Sequence, residues 1–166
     1  GGRHLTGGVA EDVINGGCSL RVEMWILNES GLAAATGNTL VPSWTASPDT
    51  PLHSHAIFDN VNQMMPIGAS TKSKVAGHSP NPVPMAPVAT SNGDMVIGAV
   101  AAGVAGTYTA QNGFTLGLTQ SKTSGGTAAH GIGHKTAYGS SETVSMLGPP
   151  SPNRQAALAI VLKAAN

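Results

Sequence analysis

The sequence predicts an all-β protein, a two-sheet antiparallel β-sandwich with about eight strands. Apolar and polar residues alternate in short runs, and almost nowhere do apolar residues keep helical spacing over several turns. The runs are divided by Gly, Pro, Asn and Ser, the residues that turn a chain. At 166 residues, with 40% hydrophobic side chains and zero formal net charge, the chain is the size of one ordinary domain and can bury a real core. Residues 1–166 are therefore read as a single sandwich domain.

The clearest strand is Leu20 to Asn28, where Leu20, Val22, Met24 and Ile26 share one face and Arg21, Glu23 and Trp25 the other. Further strands are predicted over Leu40 to Thr45, Leu52 to Asp59, Asp94 to Ala102, Phe114 to Thr119, His130 to Tyr138, Glu142 to Leu147 and Arg154 to Lys163. The last also contains good helix formers. Strand is favoured there because Ile160-Val161-Leu162 suits a buried β-segment and the preceding Gly148-Pro149-Pro150-Ser151-Pro152 imposes an extended approach. Ser79 to Pro87 holds four prolines and cannot donate a regular ladder, so it reads as an extended crossover or edge segment. Two small, polar loops, Gly103 to Gly113 and Thr119 to Ala129, are expected at the ends of the sandwich, where such loops carry contacts.

Composition excludes several function classes. The eight basic residues are scattered along the chain, which leaves no stripe to neutralise a row of phosphates and argues against nucleic acid as a partner. The longest apolar run, Ala156 to Leu162, is far too short to cross a bilayer. Cys18 is the only cysteine, so neither an internal disulfide nor a thiolate zinc site is available. It reads as a small buried hydrophobe, with an intermolecular disulfide as the other use. No signal peptide is visible and the first residue is not Met, so the sequence is read as cleaved or as a piece of something longer.

Each constellation that could carry chemistry has a plainer reading. His53 and His55 lie two apart on an expected strand and share a face, a spacing that suits two metal ligands. The opposite face, with Leu52, Ser54, Ala56 and Phe58, is more apolar, which puts the histidines on the outer or interfacial side. His130 and His134 are four apart, but Gly131 and Gly133 between them disfavour a helix; with Asp59 or Glu142 they would be needed for a metal site. Gly131-x-Gly133 lacks the third glycine and the following helix of a dinucleotide site. No nucleophile elbow or phosphate loop occurs. Glu23 is the best-placed acid, and a salt bridge with Arg21 explains it equally well. Asn28-Glu29-Ser30 matches a glycosylation acceptor, a pattern common by chance. No catalytic, cofactor or metal residue is therefore assigned; Trp25, Trp44, Tyr108 and Tyr138 stand as candidate surface or glycan-binding aromatics.

Taken in order, six segments carry a resemblance: Gly1-Gly2-Arg3-His4-Leu5-Thr6; Arg21 to Trp25; Phe58 to Ala69, with its Asp/Asn-x-x-Gln-x-x-Pro-x-Gly-Ala pattern; Gly93 to Gly98; Asn112-Gly113-Phe114-Thr115; and the Ala-rich Ala156 to Ala164. Their order resembles a jelly-roll-like β-sandwich domain that recurs in tailed-phage virion proteins and in bacterial secreted or surface proteins. Members of that group carry one or two strands before the Gly-Gly turn that are absent here. The resemblance thus implies either that those strands belong to a longer chain or that a neighbouring subunit or extra element covers an exposed core edge.

What the resemblance implies for function is a virion structural protein, a capsid decoration (cement) protein or tail-fibre module on the particle surface, and not an enzyme. Its expected partners are copies of itself and a major capsid or tail protein, with contacts through the Pro-rich segment, the Gly-rich loops or an unpaired strand. A low charge content of 10% and many small side chains suit such packing. The alternative is a carbohydrate- or surface-binding module of a bacterial secreted protein, outside the cell or on its surface, that meets a host-surface glycan through the aromatics named above. A metal-dependent hydrolase using His53, His55, His130 or His134 is the third reading. No cofactor is expected.

Overall fold

The computed structural model describes residues 6–37, 39–44 and 46–165. Most of the Gly1–Thr6 turn and Thr45 therefore lie outside the described residues. The elements are β1 (Thr6–Asn15), β2 (Cys18–Ile26), α1 (Glu29–Ala33), β3 (Ile67–Val75), β4 (Val88–Ala89), β5 (Met95–Ala102), β6 (Thr109–Ala110), β7 (Thr115–Lys122), β8 (Ala128–Thr136), β9 (Ser141–Glu142), β10 (Met146–Leu147) and β11 (Gln155–Leu162). The protein is mostly β. Among the described residues no helix is long and apolar enough to cross a membrane.

The centre is a five-stranded sheet in the order β3-β11-β5-β8-β7, antiparallel at every junction. Its middle strands β5 and β11 are buried almost from end to end. Strands covered on both faces read as continuous apolar runs rather than alternating ones, which is why Gln155 to Leu162 imitates a helix in sequence. Ala157, Ala159 and Val161 join Val96, Val100 and Ala102 on one face, while Leu158 and Ile160 join Ile97, Ala99 and Ala101 on the other. Fully burying side chains such as Leu158, Ile160 and Val161 contributes about 1.5–3 kcal/mol each.

One face of this sheet is covered by the β1–β2 hairpin, through Val9, Val13, Leu20, Val22, Met24 and Ile26. Its two-residue turn is Gly16-Gly17, both with positive φ (+58° and +79°), the conformation whose twist matches the flanking strands. Edge strand β3 fastens the hairpin from below: Lys72 and Lys74 donate to the carbonyls of Ala10 and Asp12 at 3.0 and 2.9 Å, and both reach the Glu11 carboxylate. The other face is covered by Val83, Tyr108, Phe114, Val144 and Met146 together with the two-stranded pairs β4–β9 and β6–β10.

The strands expected at Leu20–Asn28, Asp94–Ala102, Phe114–Thr119, His130–Tyr138 and Arg154–Lys163 are present with small shifts of their ends. Leu40–Thr45 is not a strand over its described residues, and Leu52–Asp59 is extended but pairs with nothing. Glu142–Leu147 divides into the two short strands β9 and β10. The loop expected from Thr119 to Ala129 shrinks to 123–127 because β7 and β8 take its ends, and β6 interrupts Gly103–Gly113. Ser79–Pro87 forms no ladder, in line with its prolines, yet it is packed: Val83 is buried, and the Asn81 side-chain amide donates to the Gly148 and Pro149 carbonyls. Cys18 is exposed rather than buried, because it is the first residue after the hairpin turn.

Candidate functional site

The aromatics singled out in the sequence have different fates. Trp25 (50% exposed) lies on the outer face of the hairpin, where the alternation of β2 puts it. Its Nε1 donates to Glu23 Oε2 at 2.8 Å, Arg21 Nε donates to the other Glu23 oxygen, and Arg21 Nη1 reaches Asp12 at 2.5 Å. The residues opposite Trp25 and Glu23 on β1 are Gly8 and Ala10. Trp44 (51% exposed) lies in the unpaired chain between β2 and β3, and Tyr138 (80% exposed) follows β8.

Tyr108 is a correction. It is only 4% exposed and packs over Gly131 and Gly148, where an added Cβ would lie 2.9 Å from its side chain. Gly131 is therefore a seat for an aromatic ring, and Gly133 does the same for Met146 on the same face. Those glycines, which in sequence raise a weak nucleotide-site pattern, are spent on core packing. None of Trp25, Trp44 and Tyr138 lines either of the two main clefts.

Sequence reasoning missed the main exposed apolar feature. Between β2 and β3 the chain makes a forty-residue excursion (residues 27–66), regular only in α1, whose N-cap Asn28 accepts from Gly31 N at 3.0 Å. The Asn28-Glu29-Ser30 pattern is thus a helix cap. From this excursion Leu32, Leu40, Val41, Trp44, Ile57, Met64 and Met65 present exposed side chains, Met64 at 93%. In sequence all of these but Leu32 read as strand or motif, and the absence of a paired strand leaves them outside.

Residues 49–58 of the excursion lie over β8. Lys122 donates to the Asp49 carbonyl at 3.3 Å, Thr50 sits against Gly126, Ser54 Oγ meets His130 Nε2 at 3.3 Å, and the Phe58 ring stands edge-on to His134 at 6.3 Å. Ser54 and His130 are 76 positions apart, the same separation as Thr50–Gly126 and Phe58–His134, so this strap runs along β8 in the same direction. His53 and His55 are exposed, and His53 lies close enough to His130 to act on its ring. Beside it is a shallow cleft of about 470 Å³ lined by Pro51, Leu52, His53, Gln120, Ser121 and Lys122. Burial, and then the neighbouring His53, push the His130 ring below its ordinary pKa. Glu142 is held by Lys135 at 2.7 Å, and among the described residues no three His, Cys, Asp or Glu side chains gather as metal ligands.

Three of the quoted sequence motifs meet at one end of the central sheet. Asp94, 2% exposed, accepts from Ser91 N, Ala164 N and Lys163 Nζ, the last at 2.6 Å. The segment around Asn60 closes on the same place: Asn62 N donates to the Lys163 carbonyl, Ala165 N to that of Asn60, and Lys163 N to that of Pro66. Asn62 Oδ1 also accepts from Met64 N and Met65 N. Burial works to raise the Asp94 carboxyl, but Lys163 and the two amides outweigh it and hold the group below the usual carboxylate range. These polar residues are a clamp on the chain, bordering a second cleft of about 260 Å³.

Compared with protein-family models, with curated proteins and with solved structures, the chain matches none.

Proposed function

We propose that this chain is a structural protein of a virus particle, a capsid decoration protein or tail-fibre module of a tailed phage, working by protein–protein contacts at the particle surface and catalysing nothing. Its architecture is read as a jelly-roll-like sandwich, with the five-stranded sheet as one layer, the short β4–β9 and β6–β10 pairs as the other, and the β1–β2 hairpin as added cover on the sheet's opposite face. The observation that carries the functional reading is the exposed apolar series on the β2–β3 excursion. Leu40, Val41, Trp44, Ile57, Met64 and Met65 are all exposed along this one stretch, and where such side chains gather in a patch they mark a contact surface. The partners are copies of this chain and a major capsid or tail protein.

Electron cryo-microscopy of the native assembly tests this. The expected result is an interface of more than roughly 1,000 Å² in total that includes residues 32–65. A chain that sediments as a monomer and decorates no particle removes the reading.

A second reading, a carbohydrate- or surface-binding module of a bacterial secreted protein, is favoured by Trp25. A half-exposed indole flanked by a carboxylate–guanidinium chain offers a stacking face beside groups that hydrogen-bond hydroxyls. Binding on a glycan array that disappears in Trp25→Ala supports it; an array with no signal for the native chain rejects it.

A further inference from the structure

We propose that residues 49–58 are a releasable strap over β8, closed while the His130 ring is neutral and opened when that ring takes up a second proton. The inference does not depend on the assembly role.

The strap is held by few bonds. Among the described residues no backbone-to-backbone hydrogen bond joins 49–58 to the sheet; its fastenings are Lys122 to the Asp49 carbonyl, Thr50 against Gly126, Ser54 to His130, and Phe58, which stands edge-on to His134 and packs at the border of the Ile97–Ile160–Leu162 cluster. A segment so attached opens at much lower free energy than the sheet beneath it. His130 sits at its midpoint.

The seat of His130 accommodates a neutral ring and rejects a charged one. Ser54 Oγ satisfies Nε2, while Nδ1 is buried and meets no partner. Protonation would make both ring nitrogens donors, leaving a charged N–H without an acceptor. Among the described residues no group accepts a hydrogen bond from Nδ1. From the strap His130 faces His53; from β7 it faces Gln120 directly opposite and Lys122 one pleat further; from β5 its opposite number is Ala101; along β8 the next titratable group on that face is His134. The strap's one acid, Asp49, lies at its first residue beside Gly126, and Asp59 follows just beyond its other end. From the hairpin the buried acid is Glu11, already held by Lys72 and Lys74 on β3, the opposite edge of the sheet.

The sign follows. A ring whose pKa is lowered under the closed strap binds more protons when the strap is open, so the closed state loses ground as pH falls below the free-imidazole value of about 6.5. Each unit separating the two values multiplies the open-to-closed ratio by up to about tenfold. What opening bares is the Ile132 face of β8, and what it frees is a short extended peptide bearing Leu52, Ile57 and Phe58.

Hydrogen exchange of the whole chain, compared at pH 7.5 and pH 5 after correction for intrinsic rates, reads the switch. Peptides over 49–58 should gain several-fold in exchange at the lower pH while those over β5 and β11 do not. His130→Leu, which cannot ionise, should abolish the gain, and His53→Gln should keep it. Loss of the gain in His53→Gln, its persistence in His130→Leu, or equal exchange at both pH values in the native chain overturns the proposal. Should His130→Leu not fold, an NMR titration of the native chain decides. Strap amides that shift with the His130 ring support the switch, and strap amides that follow His53 or His134 refute it.

Discussion

Gly98 and Gly133 stand opposite one another across β5 and β8, and the side chain of Met146 fills the hollow they leave. At Gly98 a Cβ would overlap Val144 Cγ1 and lie 2.9 Å from Met146 Cε; the methionine tip can swing aside, but the short valine branch yields only if the segment that carries it moves. Gly98→Ala should therefore destabilise the fold by about 1–3 kcal/mol, as overpacking does. Urea denaturation checks this as a lower midpoint with an unchanged slope. Gly117→Ala is the control, because its Cβ would meet nothing closer than 3.5 Å, and a midpoint equally lowered there would show that the effect at Gly98 is not crowding.

Tyr108 gives the opposite sign. Its ring fills the core over Gly131, but its hydroxyl is buried without a hydrogen-bond partner. An unmet buried hydroxyl costs about 1–3 kcal/mol. Tyr108→Phe keeps the ring and removes the unmet group, so thermal unfolding should shift upward. A clear loss of stability would mean that the hydroxyl has a partner after all.

The Asp94 clamp predicts a pH dependence. Its carboxyl is held below the unfolded value of about 3.9, so the stability it contributes is present in full above that value and is lost as pH falls through the lowered folded one. Asp94→Asn should cost about 1–3 kcal/mol at neutral pH, by weakening three hydrogen bonds at a buried site. The gap between native and variant should then narrow in acid. A gap that stays constant from pH 7 down to pH 2 would show that the charge contributes nothing.

Some of this was legible in the sequence and some was not, for physical reasons. The alternation in Leu20–Ile26 named the faces of β2, and the outward positions of Arg21, Glu23 and Trp25 followed from it. The buried runs of β5 and β11 were visible as apolar blocks. β3 escaped notice because its inward residues, Ala69, Thr71, Ser73 and Val75, are mostly small or hydroxylated, and β1 because two glycines and two acids interrupt it. The Asn15–Gly16–Gly17–Cys18 turn was the signal that could have revealed β1. Leu52–Asp59 has strand composition, yet it lies across β8, which is flanked on both sides, instead of adding to the sheet's edge at β7, and only the assembled sheet shows that placement. Tyr108 looked like a loop aromatic because the glycines that seat it are more than twenty positions away.

The excursion between β2 and β3 yields the last prediction. Residues 35–37 and 39–44 form no paired strand and are exposed, and the chain does not rejoin a sheet until Val61 bridges Ala164. Proteases cut where backbone can leave its surroundings cheaply, whereas β5 and β11 are hydrogen-bonded on both sides and buried. Brief digestion of the isolated chain should therefore cleave first between residues 34 and 59 and leave the fragment from Ile67 onward intact. In the particle assembly we propose, the same bonds should resist, because the apolar side chains of that stretch would be covered by a neighbour. First cuts inside 95–102 or 155–162 would contradict the order of stabilities, and identical digestion of free and assembled chains would mean that the excursion is not where the contacts are made.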